Sequence, residues 1–313
     1  MSLSPAICRQ IVEHIGSRSD VCSLCRVSKS FQRVAERALY NTLYMHQVGS
    51  TILLCDILTH QPRLSALVEA ITIYYEDGVY DQDGVEVATK SEATQTPLSD
   101  SYWQSLASAL RSTHRLFYLN IHIASSENLS AAWILTDCTF QLRSFHCDLK
   151  WDPALISFLN GQQRLTDLCI VDYSDLESTP TTERQPSHTH HINPSSLPHL
   201  STLECTFTEA AAALVPGRPV TRLKTCFSSA SIPAKRVELS SLVSKLSLST
   251  RPLRTLDIAD SSYTETFSME MLRGIALQLP AVEELRYLST LVLPIAGRQV
   301  RIIPLRSHVP SPQ

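Results

Sequence analysis

Leu116-Phe117-Tyr118-Leu119-Asn120-Ile121, Leu142-Arg143-Ser144-Phe145-His146-Cys147 and Leu165-Thr166-Asp167-Leu168-Cys169-Ile170 are copies of one phrase, apolar-x-x-apolar-x-apolar. The phrase also occurs at Val68/Ile71/Ile73, Leu200/Leu203/Cys205, Val220/Leu223/Thr225, Leu253/Leu256/Ile258 and Val282/Leu285/Tyr287. Its middle residues are separated by 48, 26, 23, 35, 20, 33 and 29 residues. Recurrence at such periods is the sequence signature of stacked repeats. The last two apolar residues of each phrase alternate, so both enter the same face of a strand.

Helical patterns lie between the phrases. They include Ile52/Leu53/Ile57/Leu58, Trp103/Leu106/Ala107/Leu110, Leu155/Ile156/Leu159, Leu239/Leu242/Val243/Leu246 and Met271/Leu272/Ile275/Leu279. Each unit then reads as a strand followed by a helix, and strands joined by helical crossovers run parallel. A single unit cannot bury its own apolar face, whereas a stack buries a continuous core. Over residues 50–293 this pattern resembles an irregular leucine-rich-repeat solenoid, with parallel strands inside and helices outside. The regular family pattern places Asn or Cys three residues past the phrase. None of the eight positions here holds either, so no asparagine ladder is expected. The alternative is an ordinary α/β domain with a flat sheet.

The first 45 residues read differently. Ile7, Ile11, Val12 and Ile15 fall on one helical face, Pro5 suits a first turn, and Gly16 is expected to end the helix. Ser19 or Asp20 is expected to cap a second helix striped by Val21, Leu24 and Val27. Ser30 is expected to cap a third, with Phe31, Val34, Ala35, Ala38 and Leu39 inward. The result is a three-helix bundle with six Lys/Arg against three acids. Leu3-Ser-Pro5-Ala-Ile7, Ile11, Ile15, Leu24, Val27-Ser28-Lys29-Ser-Phe31 and Leu39-Tyr40 resemble an F-box. The family opens with Leu-Pro and places Glu two residues after that Pro. This chain has Ser4 and Ala6 there. The resemblance implies docking on the Skp-type linker subunit of a cullin–RING ubiquitin ligase. Leu3, Pro5, Ile7, Ile11, Ile15, Leu24, Val27, Phe31 and Leu39 would form or support the docking face.

The fold class expected is therefore α/β, with an F-box-like bundle at 1–45, repeats at 50–293 and a tail at 294–313. Two polar insertions, at 74–101 and 177–196, interrupt the repeats. The first carries seven acids and one Lys. Its Asp81-Gln-Asp83-Gly84 lacks the later ligands of a calcium loop. The second holds His188, His190 and His191, with nothing to fix a fourth metal ligand.

Composition narrows the function. With 27 Lys/Arg against 30 Asp/Glu the net charge is −3, which argues against nucleic-acid binding by bulk charge. No run of 18 apolar residues indicates a membrane helix, and no signal peptide is read. Nine cysteines scattered among apolar neighbours read as free thiols, so a cytoplasmic or nuclear setting is expected. Cys22-Ser-Leu-Cys25 is a lone pair without zinc spacing. The 8 glycines form no phosphate loop, and no metalloprotease or nucleophile-elbow motif occurs. No catalytic residue, cofactor or metal site is expected.

A solenoid offers its outward strand residues as a concave binding face. From the phase of the phrase these are Thr72, Tyr74, Asn120, His122, His146, Asp148, Cys169, Val171, Glu204, Thr206, Lys224, Asp257 and Arg286. The joint expectation is a substrate-recognition adaptor that docks the ligase through the bundle and an unidentified target protein through the repeats. An interaction scaffold without ligase coupling is the second reading. An α/β hydrolase with a close Ser–His or Cys–His pair is the third.

Overall fold

The computed structural model describes residues 3–75, 98–123, 131–171, 192–260, 264–279 and 281–290. Most of both insertions and all of the tail lie outside these residues, as do the Asp81–Gly84 and His188–His191 readings.

Nine strands form one sheet in sequence order, every neighbouring pair parallel. They are β1 (Thr42–Met45), β2 (Ala70–Tyr75), β3 (Tyr118–Ile123), β4 (Ser144–Cys147), β5 (Asp167–Ile170), β6 (Thr202–Cys205), β7 (Arg222–Cys226), β8 (Thr255–Ala259) and β9 (Tyr287–Ser289). The protein is thus α/β, with a parallel sheet whose order never reverses. The apolar residues of the phrases supply its core. Leu119, Phe145, Leu168, Leu203 and Leu256 align across the strands and are almost completely buried. Thr225, a polar intruder in the next inward row, in register with Ile258, is buried and accepts a hydrogen bond from the Cys205 thiol at 3.5 Å.

The strand entries are joined by a ladder of backbone hydrogen bonds. The carbonyl of the second residue of each phrase accepts two N–H groups from the next phrase. Glu69 accepts from Phe117 at 3.0 Å and Tyr118 at 3.2 Å, and Phe117 accepts from Arg143 at 2.7 Å and Ser144 at 3.2 Å. The same pairing continues through Arg143, Thr166, Ser201 and Thr221 to Arg254, which accepts from Arg286 and Tyr287. Each strand entry is fixed by main-chain atoms, so no particular side chain is demanded there.

The helices cover one face of the sheet. They comprise α4 (Val48–His60), α5 (Pro62–Ser65), α6 (Asp100–Ser112), α7 (Pro153–Asn160), α8 (Thr208–Leu214), α9 (Ile232–Leu246) and α10 (Glu265–Gln278), with 3-10 turns at Ala131–Leu135 and Val282–Glu284. Their apolar stripes enter one cluster with the inward strand residues, including Leu58, Leu106, Leu110, Leu159, Leu214, Leu242 and Met271.

The N-terminal bundle comprises α1 (Pro5–Glu13), α2 (Arg18–Leu24) and α3 (Lys29–Tyr40). Its small core is separate: Cys8, Val12, Val21, Phe31 and Ala35. Serine hydroxyls cap all three helices, Ser4 accepting from Ile7 N–H, Ser17 from Asp20 N–H and Ser28 from Phe31 N–H. These caps correct the expected Ser19, Asp20 and Ser30, because the first helical turn begins two or three residues earlier. Gly16 does not end α1 in a left-handed conformation; α1 stops at Glu13, and Gly217 is the glycine with positive φ, at 74°, among the described residues.

Two further expectations are corrected. The sheet begins at Thr42 rather than after residue 50, because α3 runs almost directly into β1. The final phrase is also misframed. Thr255 pairs with Tyr287, Leu256 with Leu288 and Asp257 with Ser289, so the phrase is Leu285/Leu288/Thr290. Arg286 therefore precedes β9 and occupies the strand-entry position of Arg254, rather than the open face.

Candidate functional site

The sheet face opposite the helices holds the outward residues of each strand. On β2–β5 they form a band of rings and carboxylates. Tyr74 and His122 stack with ring centroids 5.0 Å apart and planes at 27°. His122 Nδ1 lies 3.1 Å from Asp148 Oδ2, which also accepts the Ile123 N–H at 2.6 Å. Tyr74, His122 and Asp148 thus form a row across β2, β3 and the end of β4.

A second set repeats one strand further on. Tyr118 meets His146 edge-on at 5.9 Å, and His146 Nε2 lies 3.1 Å from Asp167 Oδ2. Ser144 Oγ donates to the same Asp167 oxygen at 3.0 Å and lies 3.2 Å from His146 Nε2. Desolvation pushes the Asp167 carboxyl up, but the contacts from His146 and Ser144 outweigh it, so its pKa ends below the ordinary carboxylate value. Ser144 and Asp167 both face one nitrogen of His146. A hydrolytic relay needs serine and carboxylate on different ring nitrogens, so this trio is a hydrogen-bonded cluster rather than a nucleophile–base–orienter arrangement.

Beyond the band the face carries paired charge. Lys224 Nζ lies 2.5 Å from Glu204 Oε1 across β6 and β7. Burial pulls the Lys224 ammonium down, and the contact with Glu204, helped by nearby Asp257, more than restores it. Burial lifts the thiols of Cys169 and Cys226 to about 12 and about 11. Thr72 and Asn120 lie half-buried between the rings, in register with each other. Asp148 corrects the sequence reading. It has the outward phase, yet it is buried beneath His122 and reaches a ligand only through that ring.

Sequence reasoning missed Tyr44, Tyr118, Ser144 and Asp167. Tyr44, 56% exposed and edge-on to His46, sits on the unrecognised first strand. The other three occupy the third position of their phrases. That position has the same outward phase as the two that follow and was legible from the period of two.

The bundle presents a second surface. Leu3, Ile7 and Ile11 are four residues apart and 47%, 45% and 37% exposed, and Val27 in the α2–α3 turn is 63% exposed. Cys8 and Val12 fill the opposite side of α1. Ile7, Ile11 and Val27, expected to form or support the docking face, point outward from the bundle. Pro5 is exposed at the first turn, Phe31 is buried, and Ile15, Leu24 and Leu39 support the core from its edge. The expected docking residues thus divide into an exposed apolar set and an internal scaffold.

No family model matches the chain, and no curated protein matches it in sequence. No helix among the described residues is long and apolar enough to cross a membrane.

Proposed function

We propose that this chain is a substrate-recognition adaptor of a cullin–RING ubiquitin ligase. An F-box-like bundle would dock a Skp-type linker subunit, and a leucine-rich-repeat-like solenoid would hold a target protein. The observation that carries the reading is the unburied stripe of Leu3, Ile7 and Ile11, with Val27, on a bundle that already has its own core. Apolar side chains lined up at helical spacing and left in water are the usual mark of a protein interface. Each is about half exposed, so covering what remains contributes roughly 1 kcal/mol apiece. Ser4, which departs from the family's Pro, acts here as the cap of α1 and so supports the same helix start.

The adaptor itself performs no chemistry in this reading. Binding two partners at once raises the effective concentration of target lysines near the charged enzyme. Co-expression with a Skp-type subunit, followed by size-exclusion chromatography, tests the proposal. A complex that survives the column supports it. A folded chain that elutes alone refutes it and favours a scaffold without ligase coupling.

A further inference from the structure

The Tyr–His–Asp sets on β2–β5 are chemically biased. Their outward positions include two carboxylates, Asp148 and Asp167, and no Lys or Arg. The Asp167 side chain is 40% exposed and reachable, whereas Asp148 acts from beneath, its carboxylate held against His122. Tyr74 and Tyr118 place two π-systems beside these groups, and the negative face of such a ring attracts cations. Along the rest of the face, Lys224 is already engaged by Glu204. An acidic or phosphorylated segment would meet carboxylates with no free cation in the band. A purely apolar segment would strip water from Asp167 without replacing it.

We propose that this band is the receptor for a cationic segment, an extended stretch of polypeptide carrying Arg or Lys side chains. Guanidinium or ammonium groups would lie over Tyr74 and Tyr118 and bond to Asp167. The inference rests on the reading of the sheet as the target-binding face and specifies the partner's chemistry. It does not depend on whether the bundle docks a ligase.

Fluorescence anisotropy of the full chain with labelled nona-arginine and nona-glutamate peptides tests it. Nona-arginine binds and nona-glutamate does not. Asp167→Asn and Tyr74→Ala each weaken nona-arginine by at least about ten-fold. Glu265→Gln, an equal charge change on the exposed helix side, alters it by less than about two-fold. Asp167→Glu keeps most of the binding. Circular dichroism verifies that each variant is folded. Equal binding of nona-glutamate, or no binding of either peptide, overturns the proposal. So does nona-arginine binding indifferent to Asp167 and Tyr74, the outcome expected if the acids between Glu76 and Asp100 alone held the probe. The same variants are assayed for capture by the Skp-type subunit. Wild type is assayed alongside them: absent capture with intact nona-arginine binding counts against the adaptor reading only, and capture without nona-arginine binding counts against the cationic receptor only.

Discussion

The Glu36 carboxylate on α3 accepts both arms of the Arg63 guanidinium on α5, one at 2.9 Å, and so ties the bundle to the sheet. Gln32, one turn earlier, donates a third bond to the same carboxylate at 2.9 Å. A second acid, Glu69, works beside it, accepting from Arg37 of α3 and from Arg115 before β3, each at 3.2 Å. The junction is thus held by two carboxylates that each take more than one donor, in addition to the direct passage of α3 into β1.

Glu36→Gln is expected to loosen this junction. The Arg63 contacts chiefly, with help from Gln32, hold the Glu36 carboxyl below its ordinary value despite partial burial. A carboxylate depressed in the folded state stabilises above its unfolded pKa, and that stability is lost as pH falls through the folded value. The wild type should therefore lose stability below the ordinary carboxylate range, and Glu36→Gln should lose less. At neutral pH the variant costs about 1 kcal/mol, a modest figure because Arg63 is largely in water. Thermal melts across an acidic pH series measure both effects.

Arg218 is 1% exposed, and its guanidinium donates to the carbonyls of Asn193, Ser196, Ala213, Leu214 and Pro216. It stitches the return of the chain after residue 191 to the end of α8. Arg218→Met leaves several buried carbonyls without donors and should cost about 3–5 kcal/mol. Neighbouring Gly217 has positive φ, so Gly217→Ala should cost about 1 kcal/mol through backbone strain alone. Urea denaturation of both variants gives the order.

Lys235 and Asp260 form an ion pair with side chains 1% and 6% exposed, and the Lys235 ammonium lies 5.3 Å from the centre of the Phe267 ring. Lys235→Met alone strands a buried carboxylate and should destabilise by about 3–5 kcal/mol. The double change Lys235→Met with Asp260→Leu should recover most of that loss. A double-mutant cycle by chemical denaturation reads the coupling.

Thiol accessibility provides a further check. Cys22 is exposed, while Cys55, Cys138 and Cys205 are raised to about 12, chiefly by burial. Disulfide-exchange reagent at mild alkaline pH should label Cys22 well before those three, and denaturant should release them. Mass spectrometry of the labelled peptides identifies each site.

The strands were legible because an inward pair at period two survives even when its flanks are polar, as in Leu142/Phe145/Cys147. The first strand was not, because Tyr40/Leu43/Met45 overlaps the apolar stripe of α3, and one stretch of chain carries both periods. The last phrase slipped by three because Val282 begins a 3-10 turn with the same apolar spacing as a strand entry. The bundle's existence was readable, but not the orientation of α1. Ile7 and Cys8 are neighbours in sequence, and only tertiary packing selects the smaller Cys8 for the core. The His–Asp pairs were half legible. Phase placed His122 and His146 on the open face, while their partners depend on the strand register.

The most direct test of the adaptor reading is a titration of purified Skp-type subunit onto the purified chain, wild type against the double variant Ile7→Asp, Ile11→Asp. Both positions are exposed, so the variant should keep its circular dichroism spectrum, unlike Phe31→Asp, which buries a charge in the bundle core. The account predicts saturable equimolar binding by the wild type and its loss in the folded double variant. No binding by the folded wild type, or equal binding by both chains, would contradict it.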